Sequence, residues 1–115
     1  MTELLGKAVR YNKTDKIMTF PNGSTIKFGY YGSEQDGQHY QGLEFDAIWI
    51  DECTNLQEEW LKKLIACNRG VNDFPKIMRF TCNPGGPSHG YIKRLFVDRK
   101  FMQDEDPENY SFIQA

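Results

Sequence analysis

The chain has 115 residues, which is enough for one domain with a single core and too short for two enzymatic domains of ordinary size. Its formal charge of −2 gives no large field to steer an acidic polymer, so net charge does not indicate a nucleic-acid partner. The three cysteines lack Cys-x-x-Cys spacing, which excludes a zinc ribbon and predicts reduced thiols. No apolar run approaches the roughly 18 residues of a membrane-spanning helix, and a signal-peptide core is missing, so a soluble intracellular protein is expected.

The amino-terminal part of the chain predicts a helix followed by a β-hairpin. Apolar residues between Thr2 and Tyr11 recur at a spacing of four, which fits an amphipathic helix better than a strand. Over residues 17–31, two strand-like segments flank Pro21-Asn22-Gly23, and Asn-Gly supplies the positive φ angles of a tight turn. The second segment is predicted to join the main sheet, with one face formed by Ile26, Phe28 and Tyr30.

The segment from Gly32 to Gly42 is polar and rich in glycine, and it has neither helical nor strand periodicity. We therefore predict a mobile loop. A glycine-rich loop can bind phosphates, but this one lacks a Lys-Ser or Lys-Thr pair and does not match Gly-x-x-x-x-Gly-Lys-[Ser/Thr]. His39 within it is interpreted as a solvated loop histidine rather than a ligand.

Between Asp46 and Glu52 an apolar run ends abruptly in two carboxylates. Residues 47–50 are apolar at every position, which is typical of a parallel strand covered on both faces. Ligand sites in open α/β sheets lie at the carboxyl ends of such strands, where Asp51 and Glu52 would stand. One carboxylate there can hold hydrated Mg²⁺ beside a nucleotide, and the next can orient or deprotonate an attacking water. The alternative is structural, since acids also favour the amino end of a following helix.

A helix is predicted directly after the acidic pair. Thr54 and Gln57 have the spacing of a capping box, in which the threonine side chain accepts a hydrogen bond from the amide of Gln57. Gly70 after Arg69 provides a stop signal. One apolar stripe runs along the helix and comprises Leu56, Trp60, Leu61, Leu64 and Ile65. We interpret this element as a helix that packs on the sheet and keeps a charged face in solvent.

A second strand is predicted from Ile77 to Cys82, ended by the Asn-Pro-Gly-Gly-Pro segment that follows. Residues 46–82 then form a βαβ unit, whose right-handed crossover makes its two strands parallel. Their carboxyl ends lie at one edge of the sheet, so Thr81, Cys82 and Asn83 are expected beside the acidic pair. The alternative for Thr81 and Asn83 is that they only satisfy turn amides.

The rest of the chain predicts one more helix, over residues 88–101, with Ser88 as its N-cap. Basic residues on this helix form a locally cationic segment that could touch phosphates, although a solvated face is the simpler interpretation. Beyond the helix, Asp104 to Pro107 is interpreted as an acidic linker. Tyr110 to Ile113 is interpreted as the beginning of a further strand.

Several of these segments together resemble the large terminase subunit of tailed bacteriophages. They are Gly42 to Glu52, the helix with Trp60, Arg79 to Gly86, Phe20 to Ile26 and His89 to Lys93. The resemblance covers about residues 17 to 113. It implies an α/β fold, namely a partial additional-strand P-loop NTPase core with parallel strands, a crossover helix and a β-hairpin. It also implies a DNA-packaging motor, in which an ATPase domain drives DNA into the procapsid and a separate nuclease domain cuts the concatemer.

The resemblance assigns roles to individual residues. Asp51 matches the Walker B carboxylate that binds magnesium, and Glu52 matches the catalytic glutamate. Thr81, Cys82 and Asn83 match the coupling segment that links hydrolysis to movement. The implied cofactors are ATP and Mg²⁺, which this chain is not expected to bind stably alone.

The resemblance also implies partners and a location. The partners are the rest of the ATPase domain or a complementing chain, the small terminase subunit, the portal protein and double-stranded DNA, without a membrane. The implied location is the cytoplasm of the bacterial host, outside the mature virion.

The chain departs from the family pattern in two ways. The Gly-Lys-Ser or Gly-Lys-Thr of a Walker A loop does not occur in it, and the acidic cluster of the nuclease is missing. We therefore expect it to correspond to the middle of an ATPase domain, as a split reading frame, a degenerate prophage remnant or a cloned fragment. The leading hypothesis is a terminase ATPase segment that is not active alone.

Two other functions are considered. The first is a non-catalytic interaction module or an inert remnant. The second is a metal-dependent nuclease that uses Asp46, Asp51 and Glu52. Asp46 and Asp51 are five residues apart on one extended strand, about 16 Å, which is too far to share a metal.

The implied fold also makes a prediction about the sheet. Residues Ile48 to Asp51 should pair in parallel with Ile77 to Thr81, which the family places between the Walker B and Walker A strands. Without the Walker A strand, the far edge of the second strand would be open. We expect a second copy of the chain, the folded-back segment Tyr110 to Ile113, or a partner protein to fill it. Trp60 and Leu64 should then be less covered than their apolar character demands.

Overall fold

The computed structural model describes residues 9–114, and the chain divides into two compact units, residues 1–30 and residues 31–115. The first unit contains an antiparallel sheet and the second a parallel one, so the protein is mixed α/β. The prediction that residues 1–115 form one domain stays a prediction. Within residues 9–114, no helix has the length and apolar character that crossing a membrane requires.

The first unit is a three-stranded antiparallel sheet. Its strands are β1 (Arg10–Asn12), β2 (Ile17–Thr19) and β3 (Thr25–Lys27), and β2 lies in the middle. The predicted hairpin is confirmed, because β2 and β3 pair on either side of the Pro-Asn-Gly turn. Gly23 has a φ of +88°, and its amide donates a hydrogen bond to the carbonyl of Phe20. Glycine adopts this left-handed conformation without steric cost, which fixes the turn at this point.

The helix predicted between Thr2 and Tyr11 is wrong at its end, and residues 2–8 lie outside the described residues. Arg10 and Tyr11 belong to β1. The side-chain oxygen of Asn12 accepts hydrogen bonds from the amides of Thr14 and Asp15. This turn sends the chain back along β1, so strand pairing with β2 replaces the local helical pattern.

The prediction that the second hairpin arm joins the main sheet is also wrong. β3 pairs with β2, and the two sheets of the described chain share no strand. The short turn keeps β2 next to β3 at little entropic cost, so the local pairing is favoured. Ile26 and Phe28 remain 43% and 42% exposed.

The second unit is built on a parallel pair of strands, β4 (Ala47–Ile50) and β5 (Ile77–Phe80). Ala47 aligns with Ile77 and Ile50 with Phe80, so the predicted parallel pairing is confirmed. The other elements are α1 (Glu34–Tyr40), a 3₁₀ turn (Cys53–Asn55), α2 (Glu58–Ala66), α3 (His89–Ile92) continued by a π-helical turn (Lys93–Val97), and a 3₁₀ turn (Pro107–Asn109). Strand, helix and strand follow one another as predicted, but these elements alone do not show a P-loop core.

The segment predicted as a mobile loop contains α1. Ser33 caps this helix by accepting a hydrogen bond from the amide of Asp36, and Gly37 lies under Tyr31, where any Cβ would overlap the tyrosine hydroxyl. The ring of Tyr31 stacks on Trp60 of α2 with 4.8 Å between centroids. Packing on α2, rather than helix propensity, therefore holds this polar helix in place.

The apolar stripe of α2 is well covered. Trp60 and Leu64 are 8% and 7% exposed and pack with Tyr31, while Leu61 packs with Ile92 of α3. The indole nitrogen of Trp60 donates a hydrogen bond to a carboxylate oxygen of α1 at 2.7 Å. The prediction that Trp60 and Leu64 lack cover is therefore wrong, because α1 and Tyr31 supply it.

The predicted ends of α2 are wrong. The helix begins at Glu58 after Gln57, and no side chain caps it. Thr54 does not form the capping box, because its hydroxyl donates a hydrogen bond to the carbonyl of Asn83 instead. The helix ends at Ala66, before Gly70, since residues 67–69 make tight backbone turns.

β4 is covered on one face, not on both as predicted. Side chains alternate along a strand, and Ala47 and Trp49 lie on the face away from the packed Ile50. Trp49 is 79% exposed. The prediction of a strand covered on both faces is therefore wrong for the face that carries Trp49.

The far edge of β5 has no strand beside it within residues 9–114. Tyr110 to Ile113 forms no strand there, so both predictions for this segment, a further strand and a folded-back edge, are wrong. The ring of Tyr110 instead contacts that of Phe96, in the π-helical turn after α3, and that of Phe101. Filling of the edge by a second copy or by a partner stays a prediction.

The predicted helix over residues 88–101 ends at Val97 in the structure. Ser88 precedes it without forming a side-chain cap. The predicted acidic linker is not a free segment, because Arg94 holds Glu105 through two hydrogen bonds of 2.7 and 3.0 Å. This pairing lowers the pKa of Glu105 to about 2.

Candidate active site at the carboxyl end of the parallel strands

Two exposed carboxylates follow directly after β4. Asp51 and Glu52 form the turn at its carboxyl end, as the sequence predicts. Thr81 follows β5 and lies between them. Its side-chain oxygen accepts a hydrogen bond from the Glu52 amide at 3.0 Å and donates one to Asp51 Oδ1. One hydroxyl therefore contacts both acidic residues.

Glu52 has an unusual backbone conformation. Its φ and ψ angles are 50° and 52°, in the left-handed region that residues other than glycine rarely occupy. Backbone hydrogen bonds on either side stabilise it: the Thr81 amide donates to the carbonyl of Ile50, and the Cys53 amide donates to the carbonyl of Thr81. Such conformations persist only where their surroundings hold them, and they are frequent at functional sites.

A buried polar network connects the acidic turn to the loop after β5. The Ser88 hydroxyl donates a hydrogen bond to the Cys53 carbonyl at 3.1 Å, and the Ser88 amide donates to the Thr54 carbonyl at 3.3 Å. Thr54 in turn donates to the Asn83 carbonyl at 3.1 Å. Thr54 and Ser88 are 3% and 1% exposed, and both are satisfied by these bonds. The network fixes residues 53–55 against residues 83–88.

Gly86 allows this close approach. Its φ is +94°, and a Cβ at this position would overlap the carbonyl oxygen of Thr54. Gly85 also has a positive φ, of +97°, but no atom lies within 4 Å of the place of its Cβ. Glycine is therefore required for space at Gly86 and only for backbone conformation at Gly85.

A pocket of about 150 Å³ opens beside Glu52. The residues around it are Glu52, Thr54, Asn55, Asn83, Pro84, Gly85 and Gly86. The side-chain amide of Asn55 donates a hydrogen bond to Glu52 Oε2 at 3.1 Å. Of the residues predicted for the site, Glu52 and Asn83 border the pocket. Thr81 is bonded to the Glu52 amide, and Asp51 is bonded to Thr81.

The cysteines of this region differ in exposure. Cys53 is fully buried and Cys82 is exposed. Burial raises the pKa of Cys53 to about 12, and the neighbouring Cys82 adds to the shift. Cys53 is therefore a protonated packing residue and not a nucleophile.

Sequence reasoning missed Asn55, Gly86 and the true role of Ser88. The spacing of Asn55 from Glu52, three residues along a turn, was an available signal. Nothing in the sequence pairs Ser88 with Cys53, because these residues are far apart in the chain and meet only through the fold.

The donor set suits a cation that is shared with a ligand. Within residues 9–114, no group of three or more His, Cys, Asp or Glu side chains could hold a metal ion alone. Mg²⁺ binds through one or two carboxylates together with phosphates and waters, rather than in an all-protein cage. Asp51 and Glu52, both exposed, fit that requirement.

Asp46 is not part of this site. It precedes β4, and its carboxylate accepts hydrogen bonds from Lys76 at 2.8 Å and from Asn72 at 2.9 Å. The bond from Lys76, followed by that from Asn72, lowers the pKa of Asp46. A nuclease site that needs Asp46 together with Asp51 and Glu52 is therefore not supported.

Ligands of open α/β sheets bind at the carboxyl ends of the strands, which is where Asp51 and Glu52 lie. The family model described as terminase large subunit, T4likevirus-type, N-terminal, matches residues 1–115. The chain therefore belongs to this family of terminase large subunits, as the resemblance predicted. No curated protein and no solved structure matches the chain.

Proposed function

We propose that this chain is part of the ATPase of a phage DNA-packaging terminase and contributes its Walker B acids and coupling segment. Membership of the terminase large-subunit family supports the packaging role. The observation that carries the finer assignment is the contact of Thr81 with both acidic residues. This contact joins the residue after β5 to the acids after β4. A ligand that displaces the acids would therefore also displace Thr81.

In this proposal the two acids have different tasks. Asp51 and the nucleotide phosphates hold Mg²⁺, which supplies charge neutralisation for phosphoryl transfer when it is bound. Glu52 orients or deprotonates the attacking water, for which the adjacent pocket of about 150 Å³ leaves room. The phosphate-binding loop comes from the rest of the ATPase domain or from a complementing chain.

The coupling role falls to Thr81, Cys82 and Asn83. Thr81 touches the acidic pair, and the Asn83 carbonyl is bound by Thr54. Ser88, at the other end of this loop, is bound to the same turn and precedes α3. A displacement of the acidic turn would thus be transmitted through residues 81–88 to α3.

The family further supports the small terminase subunit, the portal protein and double-stranded DNA as partners. We place the protein in the host cytoplasm, where packaging occurs, rather than in the mature virion.

A chimera tests the assignment. Residues 1–115 replace the matching segment of an active T4-type large subunit, and ATP hydrolysis is measured. We expect Glu52→Gln to lower kcat by roughly 100-fold or more, because general-base catalysis contributes that much. Asp51→Asn should raise the Mg²⁺ concentration needed for half-maximal rate.

Glu59→Gln is the matched control, because Glu59 is an exposed acid on α2 that is away from the pocket. It should hydrolyse ATP at the rate of the unmodified chimera. An active chimera whose rate survives Glu52→Gln would contradict the proposal.

The second candidate is a non-catalytic interaction module. The uncovered face of β4 with Trp49 and the open edge of β5 favour it, since exposed apolar strands recruit partners. A folded chimera that supports packaging, but does not respond to Glu52→Gln, would select this function.

A further inference from the structure

We propose that Asn55 is the positioning residue that aims the Glu52 carboxylate at the pocket. The inference rests on the proposed function of Glu52. The Asn55 amide donates to Glu52 Oε2 at 3.1 Å, and both residues border the pocket of about 150 Å³.

The Glu52 side chain needs such a contact because, among residues 9–114, its carboxylate has no other hydrogen bond or ion pair. The residue is exposed, and its left-handed backbone sets where the side chain begins but not where it points. A glutamate has three rotatable side-chain bonds, so an unrestrained carboxylate samples many directions. A base must stay within hydrogen-bond reach of the water that it activates.

Asn55 is itself held firmly. Its backbone amide donates to the Glu52 carbonyl at 3.0 Å. The two preceding residues, Cys53 and Thr54, are buried, and their carbonyls accept the hydrogen bonds of Ser88. An exposed amide on a buried, hydrogen-bonded turn can orient a neighbour without moving with it.

The chemistry of an amide suits this role. The NH₂ group donates to one carboxylate oxygen, which leaves the second oxygen to accept a hydrogen bond from water. The amide is neutral, so it orients Glu52 without the strong ion pair that Lys76 forms with Asp46. Asparagine therefore restrains the base and leaves it available.

The contact is tested first in the full chain by NMR of the Asn55 side-chain amide. We expect the chemical shifts of its two protons to be widely separated. Both chemical shifts should change when Glu52 is changed to Gln. Gln57→Ala, a change in the same exposed stretch at a side chain that caps nothing, should leave them in place. If the two protons have the usual chemical shifts of an asparagine side chain, and Glu52→Gln does not change them, the contact is overturned.

The consequence is tested in the chimera through ATP hydrolysis. Asn55→Ala should lower kcat roughly 10-fold to 100-fold with the KM for ATP changed less than about twofold, because misplacing a catalytic group affects the chemical step. Asn55→Asp, similar in size but without the donor, should be at least as slow, and Asn55→Gln should recover part of the rate. A purely structural role would instead lower the melting temperature, which is measured on the same variants.

The two proposals fail in different ways. If Glu52→Gln leaves the rate unchanged, the function proposed for Glu52 is wrong, and the positioning role falls with it. If Glu52→Gln abolishes hydrolysis while Asn55→Ala and Asn55→Asp keep the full kcat, only the positioning role is overturned.

Discussion

Asp46 and Asp51 flank the same strand, one before β4 and one after it, and their surroundings are opposite. Lys76 forms an ion pair with Asp46 at 2.8 Å. Asp51 accepts a hydrogen bond from Thr81, and among the described residues no cation forms an ion pair with it. The chain pairs the first carboxylate with an internal cation, whereas the second is exposed and bound by a neutral hydroxyl.

The other residues at the two ends of β4 and β5 differ in the same way, with internal partners at the amino end and exposed groups at the carboxyl end. At the amino end, the Asn68 side-chain amide donates to the carbonyls of Phe45, Asp46 and Ile77 at 3.1, 3.1 and 3.3 Å. These bonds tie the beginnings of both strands together. At the carboxyl end, the exposed groups border a pocket instead. We infer that the amino end serves stability, and, with the function proposed above, we propose that the carboxyl end serves binding.

The largest expected effect on stability comes from Gly86→Ala, which disturbs the packing of the loop after β5 against the acidic turn at the carboxyl end. The new Cβ would overlap the Thr54 carbonyl in a residue with positive φ, so we expect a loss of about 3 kcal/mol in the free energy of unfolding. Gly85→Ala is the control, since it meets no atom and should cost only about 1 kcal/mol. Urea unfolding measures both, and equal losses would show that the close approach at Gly86 is unimportant.

Asn68→Ala should have the next largest effect. It removes the side-chain donor of three carbonyls at the amino end, of which that of Asp46 keeps its bond from the Ile77 amide, and we expect a loss of about 2 kcal/mol. A matched change, Asn55→Ala at the carboxyl end, should cost less than about 1 kcal/mol, because its partner is exposed. Chemical unfolding of the two variants compares the ends directly. If Asn55→Ala lost more free energy of unfolding than Asn68→Ala, the carboxyl end would be the one that serves stability.

Acid sensitivity should come from the internally neutralised carboxylates. Glu105, held by Arg94, has its pKa lowered to about 2 from 4.5. Because the folded pKa is below the unfolded one, this pair contributes fully above about pH 4.5, and the contribution is lost as the pH falls toward about 2. Glu105→Gln should therefore flatten the fall in melting temperature over this range. An unchanged pH profile in Glu105→Gln would contradict the assignment.

Replacement of either exposed acid at the carboxyl end should change stability little. Asp51→Asn and Glu52→Gln are exposed substitutions at a strand end, and each should shift the free energy of unfolding by no more than about 0.5 kcal/mol. Asp46→Asn should destabilise more, because it removes the negative charge that pairs with Lys76 at 2.8 Å. Thermal melts of the three variants measure these changes in stability. A large loss of stability in Asp51→Asn or Glu52→Gln would support a structural role for these acids.

The smallest expected signal is the rate of ATP hydrolysis by the isolated chain. Without a phosphate-binding loop and its lysine, the 115-residue chain should bind ATP weakly and hydrolyse it no faster than background. Phosphate release with Mg²⁺ and ATP measures this. Turnover that disappears in Glu52→Gln would show that the phosphates are held by another route.

The parallel pair and its acids were predictable because the signals are local. An apolar run followed by two carboxylates needs only neighbouring residues, and parallel topology then brings Thr81 to the acids. The roles of Thr54 and Ser88 were not predictable, since both resemble helix caps while their actual partners lie 29 and 35 residues away. The helix α1 was missed because its stability comes from Tyr31 and Trp60 rather than from periodicity.

The two tryptophans of the chain are in contrasting places. Trp49 on the uncovered sheet face is 79% exposed, and Trp60 under Tyr31 is 8% exposed. The fluorescence of the protein consequently has one source open to soluble quenchers and one shielded from them. A macromolecule that settles on the sheet face would protect Trp49 from quenching and leave the emission of Trp60 unchanged, so the chain contains its own optical probe for occupation of that face.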